Sequence, residues 1–210
     1  MKERPILFSG AMVKAILDGR KTMTRLVMTP QPSHYCDSDK CWVWKGYSWN
    51  EDVHKPNCRI DWRGEEKPVP YYEGLKLWVR ETWHPHKSHS GPASYRATWD
   101  DDDPDEGWKP SIFMPRWASR ITLEIVSVRV ERVQDITEED AKAEGCYRED
   151  WRETISNPMG EHGRLYSDGV VSRHHTHRNG FRRIWDSINA KRGFGWDINP
   201  WVLVIEFKRV

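Results

Sequence analysis

The residues best able to do chemistry in this chain are gathered in Gly19-Arg20-Lys21-Thr22-Met23-Thr24-Arg25, seven positions that carry three cations and two hydroxyls. A lysine beside threonines supports two roles. As a neutral amine it can take the proton of a hydroxyl that attacks a carbonyl, and as an ammonium it can steady the oxyanion that forms. The same turn also suits a phosphate or another anion. A cation that merely complements the negative end of a helix dipole need not be followed by two threonines and a second arginine.

Such a turn acts on a ligand only if it is held in place. Directly before it, Met12, Val13, Ile16 and Leu17 recur at the spacing of one helical face, with Ser9 placed to cap the start and Gly19 to end the helix. After it, residues 22–27 read as a strand. Strict alternation would put Lys21 and Thr24 on opposite faces, so a site that uses both requires the backbone to bend there. Farther along, residues 136–145 predict a short helix in which Thr137 and Asp140 form a capping-box pattern and Gly145 supplies the stop. Glu144 then falls in the last turn, where the helix dipole disfavours a carboxylate by a few tenths to about 1 kcal/mol. A nearby cation would relieve that cost, and Lys21 is the candidate.

The remaining elements frame this pair. Residues 5–8 read as a short strand and residues 74–83 as another, with Trp78 and Arg80 on one face and Val79 and Glu81 on the other. The longest strand signal covers residues 119–133, through Ile121, Leu123, Ile125, Val128 and Val130. A helix over 180–189 offers Phe181, Ile184, Trp185 and Ile188 at core spacing, and Trp201 to Phe207 close the sheet. This order of strands and short helices predicts an α+β fold in one domain over residues 1–210. Three polar insertions interrupt it, at about 29–67, 84–110 and 146–178.

In the first insertion Cys36, Cys41, His54 and Cys58 fall as Cys-x4-Cys-x12-His-x3-Cys, close to zinc-finger spacing. The alternative is reduced, unconnected thiols around a hairpin through Trp42, Trp44, Tyr47 and Trp49. The second insertion carries His84, His86 and His89, then Asp100 to Asp103, Asp105 and Glu106. Six carboxylates in seven positions read as a solvated, self-repelling loop, with divalent-cation binding as the other option. The third ends in the basic Arg173-His174-His175-Thr176-His177-Arg178, placed to meet a substrate phosphate. Across all 210 residues the formal net charge is +1, so attraction to nucleic acid must come from local patches. With a mean hydropathy of −0.84, no apolar run of membrane-spanning length and no signal stretch, a soluble cytoplasmic protein is expected. The thirteen tryptophans serve either as core filling or as base-stacking platforms.

Gly-Arg-Lys-Thr-x-Thr-Arg after a short helix resembles the signature of the ASCH family, whose fold is PUA-like. The resemblance continues through Leu77-Trp78-Val79-Arg80-Glu81-Thr82-Trp83, through Phe113-Met114-Pro115-Arg116-Trp117-Ala118-Ser119-Arg120 and through the closing Trp201 to Phe207. It is greatest to the ASCH proteins of phages and prophages, although Leu26 stands where those usually carry a second arginine. The resemblance implies a mixed β-barrel with short flanking helices, and an amidohydrolase that removes the acetyl group of N4-acetylcytidine without a cofactor. By the same resemblance Thr24 is the nucleophile, Lys21 its partner and Glu144 the third catalytic group, with Glu81 in reserve. Arg20, Arg25, Arg80, Glu81, Arg116 and Trp117 would contact the substrate, a modified nucleoside or a nucleic acid, RNA rather than DNA. The alternatives are an RNA-, DNA- or modified-base-binding module without catalysis, and a metal-dependent ribonuclease built on the acidic loop. Zinc deaminase chemistry is not expected, since the sequence lacks the His-x-Glu and Pro-Cys-x-x-Cys pair.

Overall fold

The computed structural model describes residues 3–36, 41–44, 47–50, 70–85, 93–99, 107–146 and 176–210. In chain order the elements are β1 (Glu3–Leu7), α1 (Gly10–Leu17), β2 (Met23–Val27), β3 (Ser33–Cys36), β4 (Cys41–Trp44), β5 (Tyr47–Asn50), β6 (Lys76–Arg80), β7 (Trp83–Pro85) and β8 (Ala93–Tyr95). Then follow β9 (Thr122–Arg132), α2 (Glu138–Ala143), α3 (His177–Asn189) and β10 (Trp201–Arg209). The fold is therefore α+β. Its centre is a five-stranded mixed sheet in the order β1–β6–β9–β10–β2, in which only β1 and β6 run parallel. The sheet is open: β1 and β2 are its two edges, rather than partners in a closed barrel.

Both faces of the sheet are covered, which explains why its strands are apolar on alternate and adjacent positions alike. On one face Leu123, Ile125, Val130, Leu203 and Ile205 meet Val13 and Ile16 of α1, with Phe8 and Phe207 among them. On the other, Met23, Val202 and Val204 meet Ala141 of α2 and Phe181 and Trp185 of α3. Each fully buried side chain of this size contributes about 1.5–3 kcal/mol. One irregularity decides which residues face which core. The β9–β10 register shifts between Glu206 and Phe207, so that Val126 has no partner and is 48% exposed. Ahead of this bulge Leu123 and Ile125 point toward α1; beyond it the inward set becomes Val128 and Val130.

Two sequence expectations change here. α3 buries Phe181, Trp185 and Asn189, one per turn, whereas Ile184 and Ile188 are 40% and 47% exposed; the contact stripe is narrower than the apolar pattern. The first insertion is tied to the core, since Trp44 is buried in the larger apolar cluster. The expected hairpin is a three-stranded meander, with Trp42 opposite Trp49, Trp44 opposite Tyr47 and Cys36 opposite Cys41 in backbone register. His54, Cys58, His86, His89, Asp100 to Asp103, Asp105, Glu106 and Arg173 to His175 lie outside the described residues. Trp44, Trp78, Trp83, Trp185 and Trp196 are buried, while Trp117 is exposed. Among the described residues no helix is long and apolar enough to cross a membrane.

Candidate active site

The basic turn is anchored on three sides by its backbone. Ser9 caps α1 by accepting from the Met12 amide, and Gly19 ends the helix with φ 71°, a conformation that costs glycine least. The amides of Arg20 and Lys21 then both donate to the Ala15 carbonyl, at 2.8 and 2.9 Å. Thr22 donates to the Ala143 carbonyl at 2.8 Å and accepts from the Phe207 amide at 2.9 Å, which joins the turn to α2 and β10. Because β2 begins only at Met23, the pleat imposes no face on Lys21. Lys21 instead forms an isolated antiparallel bridge with Glu144.

The Lys21 side chain is fully buried. Its Nζ donates to Met23 O at 2.8 Å, Glu144 O at 3.0 Å and Glu144 Oε2 at 2.6 Å, the full complement of acceptors for an ammonium group. It also stands 5.5 Å from the centre of the Phe8 ring. The second carboxylate oxygen of Glu144 accepts from Arg25 Nη1 at 3.3 Å. Arg25, expected at the substrate, is itself buried: its Nε and Nη2 donate to Glu131 Oε1 at 3.0 and 2.5 Å, and Nη2 also donates to Asp140 Oδ2 at 2.6 Å. Arg129 continues the chain through Asp140 at 2.6 Å, Glu131 at 3.2 Å and Glu206. In this network three cations meet four carboxylates.

The charges shape one another. Burial works against the Arg129 cation, but Glu131 and Asp140 outweigh it and hold its pKa above the ordinary value. Burial pushes the neighbouring Cys146 thiol up to about 12, with the Glu144 charge acting in the same direction. Asp140 makes only half of the expected capping box: its amide donates to Thr137 Oγ1 at 3.0 Å, while its carboxylate turns to the two arginines. An open groove of about 370 Å³ runs beside the network, between Thr22, Met23, Val126, Asp140, Glu206 and Phe207.

Other expected site residues fall in three places. Thr24, opposite Ile205 in register, faces the larger core with its neighbour Leu26; it is 6% exposed, and its hydroxyl has no hydrogen-bond partner among the described residues. Arg20 lies at the edge of the turn, on Asp18 at 2.9 Å and the Gly145 carbonyl at 3.4 Å. Arg80, Glu81, Arg116 and Trp117 gather instead at the end of β6. There Glu81 is buried and held through both oxygens by Arg120, each at 2.9 Å, so it is remote from the role of third catalytic group. From the basic loop, the amides of His177 and Arg178 donate to the Glu138 carboxylate at 2.7 and 3.0 Å, seating the start of α3 on α2.

Glu131, Asp140, Arg129 and Glu206 were missed from sequence. Their signal was present: past the bulge, Arg129 and Glu131 occupy positions of β9 that point at α2, where a strand covered on both faces would otherwise be apolar. Compared with known proteins, the chain matches no family model, no curated protein and no solved structure.

Proposed function

We propose that the Lys21–Glu144 pair is the reaction centre of an amidohydrolase that removes an acyl group from the N4 amide of a modified cytidine, in a PUA-like domain of ASCH type. The observation that supports this is the burial of Lys21 on Glu144 at 2.6 Å, across 123 positions of sequence. These are the two residues to which the motif resemblance assigns catalysis, and burial gives their charges effect. Thr24 contributes a hydroxyl with no hydrogen-bond partner among the described residues. Its oxygen bonds to the amide carbon, the carbonyl oxygen takes the negative charge, and Lys21 steadies it as a cation. Glu144 takes the hydroxyl proton and delivers it to N4 as the C–N bond breaks. Water then cleaves the threonine ester to release the carboxylic acid.

The test is incubation of the purified protein with N4-acetylcytidine, as nucleoside and within RNA, following cytidine by chromatography. Glu144→Gln and Thr24→Ala are expected to lower turnover by about 100-fold or more. Lys21→Ala should abolish it; Thr24→Ala, which leaves the charge network intact, separates lost chemistry from lost stability. Unchanged turnover in Lys21→Ala would remove this mechanism. No turnover by the unaltered protein, together with salt-sensitive binding of a modified base or nucleic acid, would assign the site to recognition instead.

A further inference from the structure

Arg25, assigned to the substrate by the motif resemblance, has no donor left to offer one. Its side chain is fully buried, and a guanidinium carries five N–H groups and no acceptor. Five contacts take these up. Nε and Nη2 donate to Glu131 Oε1 at 3.0 and 2.5 Å, Nη2 to Asp140 Oδ2 at 2.6 Å, and Nη1 to Glu144 Oε1 and the Met23 sulfur, both at 3.3 Å. Arg25 Cζ also stands 5.7 Å from the centre of the Phe181 ring. The groove beside the network is lined by Met23, Asp140 and Glu206, and Arg25 takes no part in its wall.

What Arg25 does hold is the end of α2. Asp140 and Glu144 stand one turn apart, Glu144 as the C-cap of this six-residue helix, and Arg25 bonds both. So short a helix does not hold its own last turn, and the clamp from β2 fixes where Glu144 stands. It also fixes how the carboxylate is turned. Oε2 is shared with Lys21 and Oε1 with Arg25, while each oxygen keeps a lone pair for a proton. Without Arg25 the terminal torsion of the glutamate, which is intrinsically broad, would be set at Oε2 alone. The clamp is anchored in turn: Glu131 and Asp140 are both held by Arg129, at 3.2 and 2.6 Å.

We propose that Arg25 is a positioning residue of the Lys21–Glu144 centre, orienting the Glu144 carboxylate for proton transfer without touching the substrate. This rests on the hydrolase reading above and adds what the charge network does for it. Glu131, Asp140 and Arg129 seat Arg25, and Arg25 seats the group that carries the proton. An arginine is required because one planar group must reach three carboxylates at once, a geometry that an ammonium on a flexible stem does not reproduce.

The experiment is steady-state hydrolysis of N4-acetylcytidine by the full chain and by Arg25→Lys, each rate divided by the folded fraction read from melting curves. Misplacing a reacting group by about 1 Å costs on the order of 100-fold, so Arg25→Lys should lower kcat about 10- to 100-fold and leave KM within about twofold. Asp140→Asn, which loosens the clamp from its other side, should give a smaller loss, again in kcat. Arg25→Ala should regain turnover as guanidinium ion is added well below denaturing concentrations, a response that lost packing alone would not give; the unaltered protein and Thr24→Ala should gain nothing. Should Arg25→Ala not fold, Arg25→Lys and Asp140→Asn decide. With an active unaltered protein, the proposal is overturned by unchanged kcat in Arg25→Lys, by a KM raised at constant kcat, or by a folded Arg25→Ala that ignores guanidinium. No turnover by the unaltered protein removes the hydrolase reading, and this role with it.

Discussion

Replacing Lys21 by methionine isolates what the buried pair contributes to the fold. The substitution keeps an apolar chain of similar length beside Phe8 but deletes the donor to Met23 O, Glu144 O and Glu144 Oε2. Two effects compete. Glu144 retains Arg25 at 3.3 Å, which limits the cost of a lone buried carboxylate, while two buried carbonyls each lose a donor worth about 1 kcal/mol. Removing one partner of a buried pair costs about 3–5 kcal/mol, and the retained arginine places Lys21→Met near 3–4 on that scale. Glu144→Gln leaves Lys21 its two carbonyls, and Arg25 its contacts with Glu131 and Asp140, so about 2 kcal/mol is expected. The double variant should fall short of the sum by about 1.5–3 kcal/mol. Urea unfolding reads these values: with a slope of about 2 kcal/mol per molar, Lys21→Met shifts the midpoint down by about 1.5–2 M. A shift below about 0.5 M, or additivity within about 0.5 kcal/mol, would refute the buried pair as described.

Gly145 has φ 80°, and a Cβ there would meet Ala15 Cβ at 2.9 Å and Lys21 Cβ at 3.0 Å, so Gly145→Ala should destabilise by about 2–4 kcal/mol in thermal melts. Gly19→Ala, at φ 71° with open space around it, should cost only about 1–2 kcal/mol. Glu81→Gln removes the charge that holds Arg120 and should lower stability by about 3 kcal/mol, measured by the same melts. The Cys146 thiol should resist alkylation in the folded protein near pH 8 and react on unfolding, as peptide mapping of labelled cysteines would show. Its raised pKa stabilises the fold fully below the ordinary thiol value near 9 and loses that contribution as pH rises toward about 12; alkaline melts that showed no decline over that window would contradict this.

Much of the frame was legible because it is written in local periodicity. The Ser9 cap, the Gly19 stop, the long β9 and the closing β10 each follow from spacing within one element. Even the bulge left a trace, in the switch from Leu123 and Ile125 to Val128 and Val130. The approach of Lys21 to Glu144 was also anticipated, because a carboxylate at a helix C-terminus has a cost that a cation relieves. Arg25 and Glu81 were not legible in the same way. An arginine in a basic turn and a glutamate after a strand look the same in sequence whether they meet solvent or another chain segment.

The sequence by itself determined the short helix between Ser9 and Gly19, the long strand and the closing strand, and which turn carries the reactive groups. Tertiary structure alone decided that Glu131, Asp140 and Arg129 surround Arg25, that Glu81 belongs to Arg120, that the sheet stays open, and that Ile184 and Ile188 remain outside the core. The division has one physical cause. Backbone preference and amphipathic spacing act over a few residues, whereas the partner of a buried charge is fixed by strand pairing and helix docking between segments more than 100 positions apart.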